Sequence, residues 1–148
     1  MSEPARYWFH ILAQSGEDAR LRHAARLAEK AWHEGDRVGI YCDDDPLAAA
    51  LDDLLWSYRP DAFLPHDWLN SNDQQPASPV AILQCQPSEQ DWDTLIVLAS
   101  VLPASADRFA RLALVASNDA EVLDQARRHF RQLRDLGVTP QVHDQRRR

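Results

Sequence analysis

The sequence predicts an α/β fold with a mainly parallel sheet and helices on both faces, and three observations carry that expectation. Short apolar runs bounded by turn residues alternate along the chain with stretches whose apolar residues recur at helical spacing, and strands separated by helices pair in parallel. The strand-like runs VGIYC, TLIVLA and LALVA are apolar nearly throughout, as strands covered on both faces must be. A chain of 148 residues, 45% hydrophobic and 26% charged, has the size and proportions of one globular domain. No internal repeat, low-complexity tract or long linker divides it, so residues 1–148 are expected to form a single domain.

Taken in order, Tyr7–Leu12 reads as a buried strand. Asp18–Glu34 follows as a helix, with Leu21, Ala24, Ala25, Leu27, Ala28, Ala31 and Trp32 at helical spacing and Gly35 where a C-terminal cap belongs. Val38–Cys42 is the second strand. Asp43, Asp44 and Asp45 then precede Pro46, suited to a first helical turn, and a helix to about Ser57. Arg59–Pro60 breaks that helix, Ala62–Leu64 is a brief extended piece, and residues 67–79 read as an exposed loop. Val80–Cys85 and Thr94–Ala99 are strands, Ala104–Ala110 a short helix, and Leu112–Ala116 a strand. Ser117, Asn118 and Asp119 offer caps for a long helix over Ala120–Leu136, closed by Gly137. Thr139–His143 is expected as an edge strand and Arg146–Arg148 as a loose tail.

Composition excludes several functions. The net charge of −7 opposes direct nucleic-acid binding by the chain as a whole, because phosphate contacts need local positive charge. Residues 1–119 hold 9 basic against 19 acidic residues, and residues 120–148 hold 7 against 4, so the C-terminal end alone is basic. Cys42 and Cys85 lie in apolar runs and read as reduced, buried thiols of a cytoplasmic protein. The N-terminus lacks the pattern of a signal peptide, and no apolar run approaches the roughly 18 residues of a membrane span.

The alternating pattern is Rossmann-like, yet the sequence carries no nucleotide site. Phosphate binding at the first strand–helix turn needs glycines, so that backbone N–H groups can approach the anion. That turn is AQSGEDAR, with one of the chain's 4 glycines, and neither GxGxxG nor GxxxxGK[ST] occurs. Asp43–Asp45 could bind Mg²⁺ or simply cap a helix at the positive end of its dipole. The six histidines, at 10, 23, 33, 66, 129 and 143, show no metal-ligand spacing, and there is no GxSxG nucleophile turn. No catalytic residue, cofactor or metal is therefore expected.

Two stretches point to protein partners instead. Residues 51–68, LDDLLWSYRPDAFLPHDW, gather Trp56, Tyr58, Phe63, Leu64 and Trp68 around a helix break. Large aromatics there can anchor an interface or plug the sheet edge. On the C-terminal helix Arg127, Arg131 and Arg134 share a face, with Phe130 and Leu123 nearby. Such a face is either solvated or a cradle for carboxylates, which guanidinium forks bind in bidentate fashion.

The segment LDDLLWSYRPDAFLPH resembles the signature of the chi subunits of bacterial DNA polymerase III. There a Leu-Asp-x-x-Leu-Trp helix end leads into Phe-[Val/Leu]-Pro-His, here through Trp56, Pro60, Phe63, Leu64, Pro65 and His66. AEKAWHEGDRVGIYCDD and QARRHFRQLRDLGV extend the resemblance over nearly the whole chain. It implies a non-catalytic clamp-loader accessory subunit with two partner surfaces. Trp56, Phe63, Leu64, Pro65 and His66 would serve the psi subunit and a competing repair helicase. Arg127 and Phe130, with Arg131, Arg134, Ala116 and Leu123, would hold the acidic C-terminal tail of single-stranded-DNA-binding protein. Ala116 stands where the family has a larger apolar residue, Leu123 where a lysine is frequent, and Phe130 where tyrosine is usual. A degenerate nucleotide-dependent enzyme and a direct single-stranded-DNA binder are the rival readings, opposed by the glycine-poor turn and the acidic body respectively.

Overall fold

The computed structural model describes residues 6–57, 64–71, 74 and 76–146. Among these residues seven strands form one sheet in the order β3-β4-β2-β5-β6-β1-β7, and all its pairings are parallel. They are β1 (Arg6–Ile11), β2 (Val38–Tyr41), β3 (Asp67–Leu69), β4 (Val80–Leu83), β5 (Thr94–Val97), β6 (Arg111–Ala116) and β7 (Gln141–Asp144). Three helices, α1 (Glu17–His33), α2 (Asp45–Trp56) and α3 (Ala120–Asp135), cover the two faces.

Strand alternation sorts the core into two layers. Tyr7, Phe9 and Ile11 of β1 and Leu112, Leu114 and Ala116 of β6 join Leu123, Ala126 and Leu133 of α3 on one face. Ala113 and Val115 of β6 and Ile96 of β5 meet Leu21, Ala24 and Ala28 of α1 and Leu51 and Leu55 of α2 on the other. A buried arginine ties the second layer to the strand ends. Arg20 on α1 donates through Nε to the Val115 carbonyl at 3.0 Å and through a terminal nitrogen to that of Leu98 at 2.9 Å.

The glycine caps expected at the C-terminal ends of α1 and α3 are present in detail. Gly35 and Gly137 each take φ near +96°, open to glycine without a Cβ clash. After α1, Asp36 N–H donates to the Ala31 carbonyl and Gly35 N–H to that of Trp32; after α3, Val138 and Gly137 repeat the pattern onto Leu133 and Arg134. These paired bonds satisfy the last carbonyls of both helices.

Several expectations need correction. Residues 67–79 are not wholly loop, because Asp67–Leu69 pairs with β4 and buries Leu69. Ala104–Ala110 is not a helix but a single 3-10 turn over Ala106–Arg108. The Tyr7 hydroxyl lies 2.9 Å from both the Ala106 and Phe109 carbonyls, occupying acceptors a longer helix would use. Cys42 is fully buried, but Cys85 lies past the end of β4 and is only half-buried. Arg146 is not loose: its guanidinium clasps the Asp144 carboxylate at 2.8 and 3.0 Å. Arg147 and Arg148 lie outside the described residues, as do Arg59–Pro60 and Ala62–Phe63.

Candidate functional site

The first strand–helix turn already holds a carboxylate of the chain itself. Gly16 precedes α1, and its N–H donates to the Asp119 carboxylate at 2.9 Å; the Ser117 hydroxyl donates to the same oxygen. Those bonds, the Ser117 hydroxyl foremost, hold the Asp119 carboxyl below its ordinary range. Asp119 was expected to cap α3 with its side chain, but the carboxylate turns to α1 instead. An internal carboxylate thus stands where a phosphate would bind in a nucleotide-binding relative of this fold.

The three neighbouring aspartates each have structural partners. Asp43 accepts from the Ser100 amide and hydroxyl, Asp44 caps α2 by accepting from Leu47 N–H at 2.9 Å, and Asp45 accepts from the Gln84 amide. Among the described residues no group of three His, Cys, Asp or Glu side chains is placed to hold a metal.

At the C-terminal end of α2 an aromatic platform stands on a buried histidine. Trp56 is 53% exposed, and its ring lies tilted 4.9 Å from that of His66. His66 is buried with Nδ1 2.7 Å from the Leu64 carbonyl and Nε2 2.7 Å from an Asp52 carboxylate oxygen. Both neighbours are acceptors, so the ring is held from both of its nitrogens. Leu64 is buried, with its N–H donating to the Leu55 carbonyl at 3.0 Å, and Pro65 is half-buried. The segment therefore divides: Trp56 offers surface, while Leu64 and His66 fasten the chain behind it. Phe63 lies outside the described residues.

Trp68 belongs to the aromatic stretch of residues 51–68 and was expected at the start of an exposed loop over residues 67–79. In β3 it aligns with Ile82, on the α2 face of the sheet, and remains exposed. Its indole donates to Gln84, which in turn donates to Asp45 at the start of α2.

The second surface is the outer flank of α3. At about 100° per residue, Arg127, Arg131 and Arg134 fall within an arc of about 60°, and Phe130 borders it on the core side. Arg127 is 47% exposed and only loosely paired, 3.8 Å from Asp124; Arg134 lies 3.5 Å from Asp135. Phe130 is half-buried, its ring 6.1 Å from Phe9. The structure does not bring Ala116 and Leu123 to this surface. Ala116 is fully buried in β6 and Leu123 packs into the same core layer. The face that remains is an arginine row edged by one aromatic ring.

The family model described as DNA polymerase III chi subunit, HolC, matches residues 5–141. The chain belongs to the chi subunit family of DNA polymerase III. It is 36% identical over 135 residues to the DNA polymerase III subunit chi of Pseudomonas aeruginosa, covering 91% of this chain and 93% of that protein. The chi subunit of Haemophilus influenzae is 29% identical over 130 residues, covering 87% and 90%. That of Escherichia coli is 29% identical over 112 residues, covering 75% and 76%. Membership in the chi family makes the chain an accessory subunit of the replicative holoenzyme and implies association with other holoenzyme subunits. No helix among the described residues is long and apolar enough to cross a membrane.

Proposed function

We propose that this chi-family chain is a non-catalytic adaptor that joins the clamp loader to single-stranded-DNA-binding protein. The psi subunit docks at the Trp56 edge, where a competing repair helicase would also bind, and the acidic C-terminal tail lies along α3. The observation that carries the reading is the arginine row of Arg127, Arg131 and Arg134, exposed beside half-buried Phe130 in a chain whose net charge is −7. A carboxylate-rich tail with an apolar end needs positive charge next to an aromatic edge, and guanidinium forks supply the stronger, charge-assisted bonds. The two surfaces sit on different elements, α2 and α3, so one chain can hold both partners together. Asp119 seated at the start of α1 argues against the rival nucleotide-dependent enzyme.

The adaptor reading requires a ternary complex. Size-exclusion chromatography of the full chain mixed with psi and a labelled tail peptide is expected to give co-elution of all three. Displacement of either partner by the other would contradict it.

A further inference from the structure

Beside α1, on the face of the sheet away from α3, lies a trough that the adaptor function does not use. α1 packs on β2, β5 and β6, and among the described residues this leaves the same face of β1 and β7 open alongside it. Trp8 and His10 of β1 are only half-buried there, and Gln141 and His143, in register with them on β7, are exposed. Two hollows of about 290 and 490 Å³ share Leu27 and Lys30, so they form one trough along the helix. A helix of 17 residues gives it a length of about 25 Å.

Its floor is apolar, with Trp8, Leu27, Ala31, Ile96 and Ala113 in the larger part of the first hollow. Its rims are cationic. Arg22 is tied to Asp18 and Arg111 to Asp36, whereas Arg6, Arg26 and Lys30 form no ion pair among the described residues. Between floor and rim three histidine rings pack together, His10 lying 4.9 Å from His23 and 5.3 Å from His143. Burial pushes His10 and His23 down to about 4, helped by His23, His143 and Lys30 beside His10 and by Arg26 beside His23, so both are neutral at pH 7. The Nε2 atom of His23 is buried with no hydrogen-bond partner.

We propose that this trough, in which unpaired Arg6, Arg26 and Lys30 rim an apolar floor beside α1, binds an acidic, partly apolar peptide segment of a protein partner. Charge complementarity selects the occupant. Three cations without an ion pair among the described residues match two or three carboxylates, and the floor needs apolar side chains that a peptide carries between them. Nucleic acid fits less well, since it needs many neutralised phosphates, while Asp18, Glu34 and Asp36 also line the trough of an acidic chain. The site goes beyond the adaptor reading and uses the opposite face of the sheet from the arginine row.

The test uses the full chain with Arg127→Ala and Arg131→Ala already in place, so that α3 cannot supply the binding. The probe is a fluorescein-labelled, C-terminally amidated 12-residue peptide of mixed Glu and Leu, followed by anisotropy and by amide chemical shifts. Saturable binding is expected, with shifts gathered on Trp8, His10 and residues 22–31. Adding Arg26→Glu and Lys30→Glu, both exposed positions, should weaken it at least tenfold, and Arg26→Gln with Lys30→Gln should fall between. Equal affinity after charge reversal would overturn the proposal. So would no binding in the starting variant, or tighter capture of a 12-nucleotide oligothymidine at the same residues.

Discussion

Trp56 and His66 touch each other yet should fail in different ways when removed. Trp56 is 53% exposed at a helix end, so Trp56→Ala removes about half of one aromatic's burial and leaves no closed cavity. A fully buried Trp→Ala costs about 3–5 kcal/mol, and half of that, less the cavity term, comes to about 1–2 kcal/mol. Affinity for psi should fall further, by at least about 2 kcal/mol or roughly thirtyfold, the scale of an aromatic anchor. His66→Ala instead deletes two 2.7 Å bonds, one to the Leu64 carbonyl within the segment and one to Asp52 that fastens the segment to α2. At about 1 kcal/mol for the carbonyl and 1.5–3 for the carboxylate, stability should drop by about 2.5–4 kcal/mol. Urea unfolding with a surface-binding titration against psi reads both quantities for each variant. If Trp56→Ala loses as much stability as His66→Ala, or loses none of its psi affinity, the division into platform and fastening is wrong.

Arg20→Leu should cost about 2–4 kcal/mol in urea unfolding, because it orphans the Leu98 and Val115 carbonyls; a loss below about 1 kcal/mol would show that they find other partners. Millimolar Mg-nucleotide should leave the melting temperature unchanged, since Asp119 already occupies the α1 N-terminus, and a rise of several degrees would refute that. Stability should also fall on mild acidification. His10 and His23 are pushed by burial from 6.5 to about 4, so the unfolded chain takes up protons first. Their contribution is complete above about pH 6.5 and is lost progressively toward pH 4; an unchanged or higher urea midpoint at pH 5 than at pH 7 would contradict it.

The parts of the fold that read directly from the sequence were those where local and tertiary signals coincide. Apolar β2, β5 and β6 are buried on both faces, and Gly35 and Gly137 end helices through bonds that only a positive φ permits. The misread parts draw their structure from distant partners. β3 is three residues long and exists because β4 pairs with it, and the turn at Ala106–Arg108 is shaped by Tyr7, far away in sequence. Asp119 has ideal capping chemistry and is diverted by Gly16, a neighbour only in three dimensions.

The candidate surfaces were legible as residue types and less so as exposures. Arginines at i, i+4 and i+7 must share a helix face, and they do. Spacing cannot say that Leu64 and His66 lie behind Trp56, or that Ala116 and Leu123 are sealed into the core. The trough beside α1 left only a partial linear trace, Arg26 and Lys30 at i and i+4 on α1, because Arg6 joins them from β1.

The central claim is that the arginine row of α3 holds an acidic tail, and titrating a labelled tail peptide of single-stranded-DNA-binding protein by fluorescence anisotropy tests it most directly. Wild type should bind with an affinity that weakens as salt rises, because the contacts lie at a screened surface. Arg127→Ala should cost on the order of 1.5–3 kcal/mol, the range for a hydrogen bond to a charged group, while Arg22→Ala on α1 should change little. Equal binding by wild type and Arg127→Ala at both low and high salt would contradict the account.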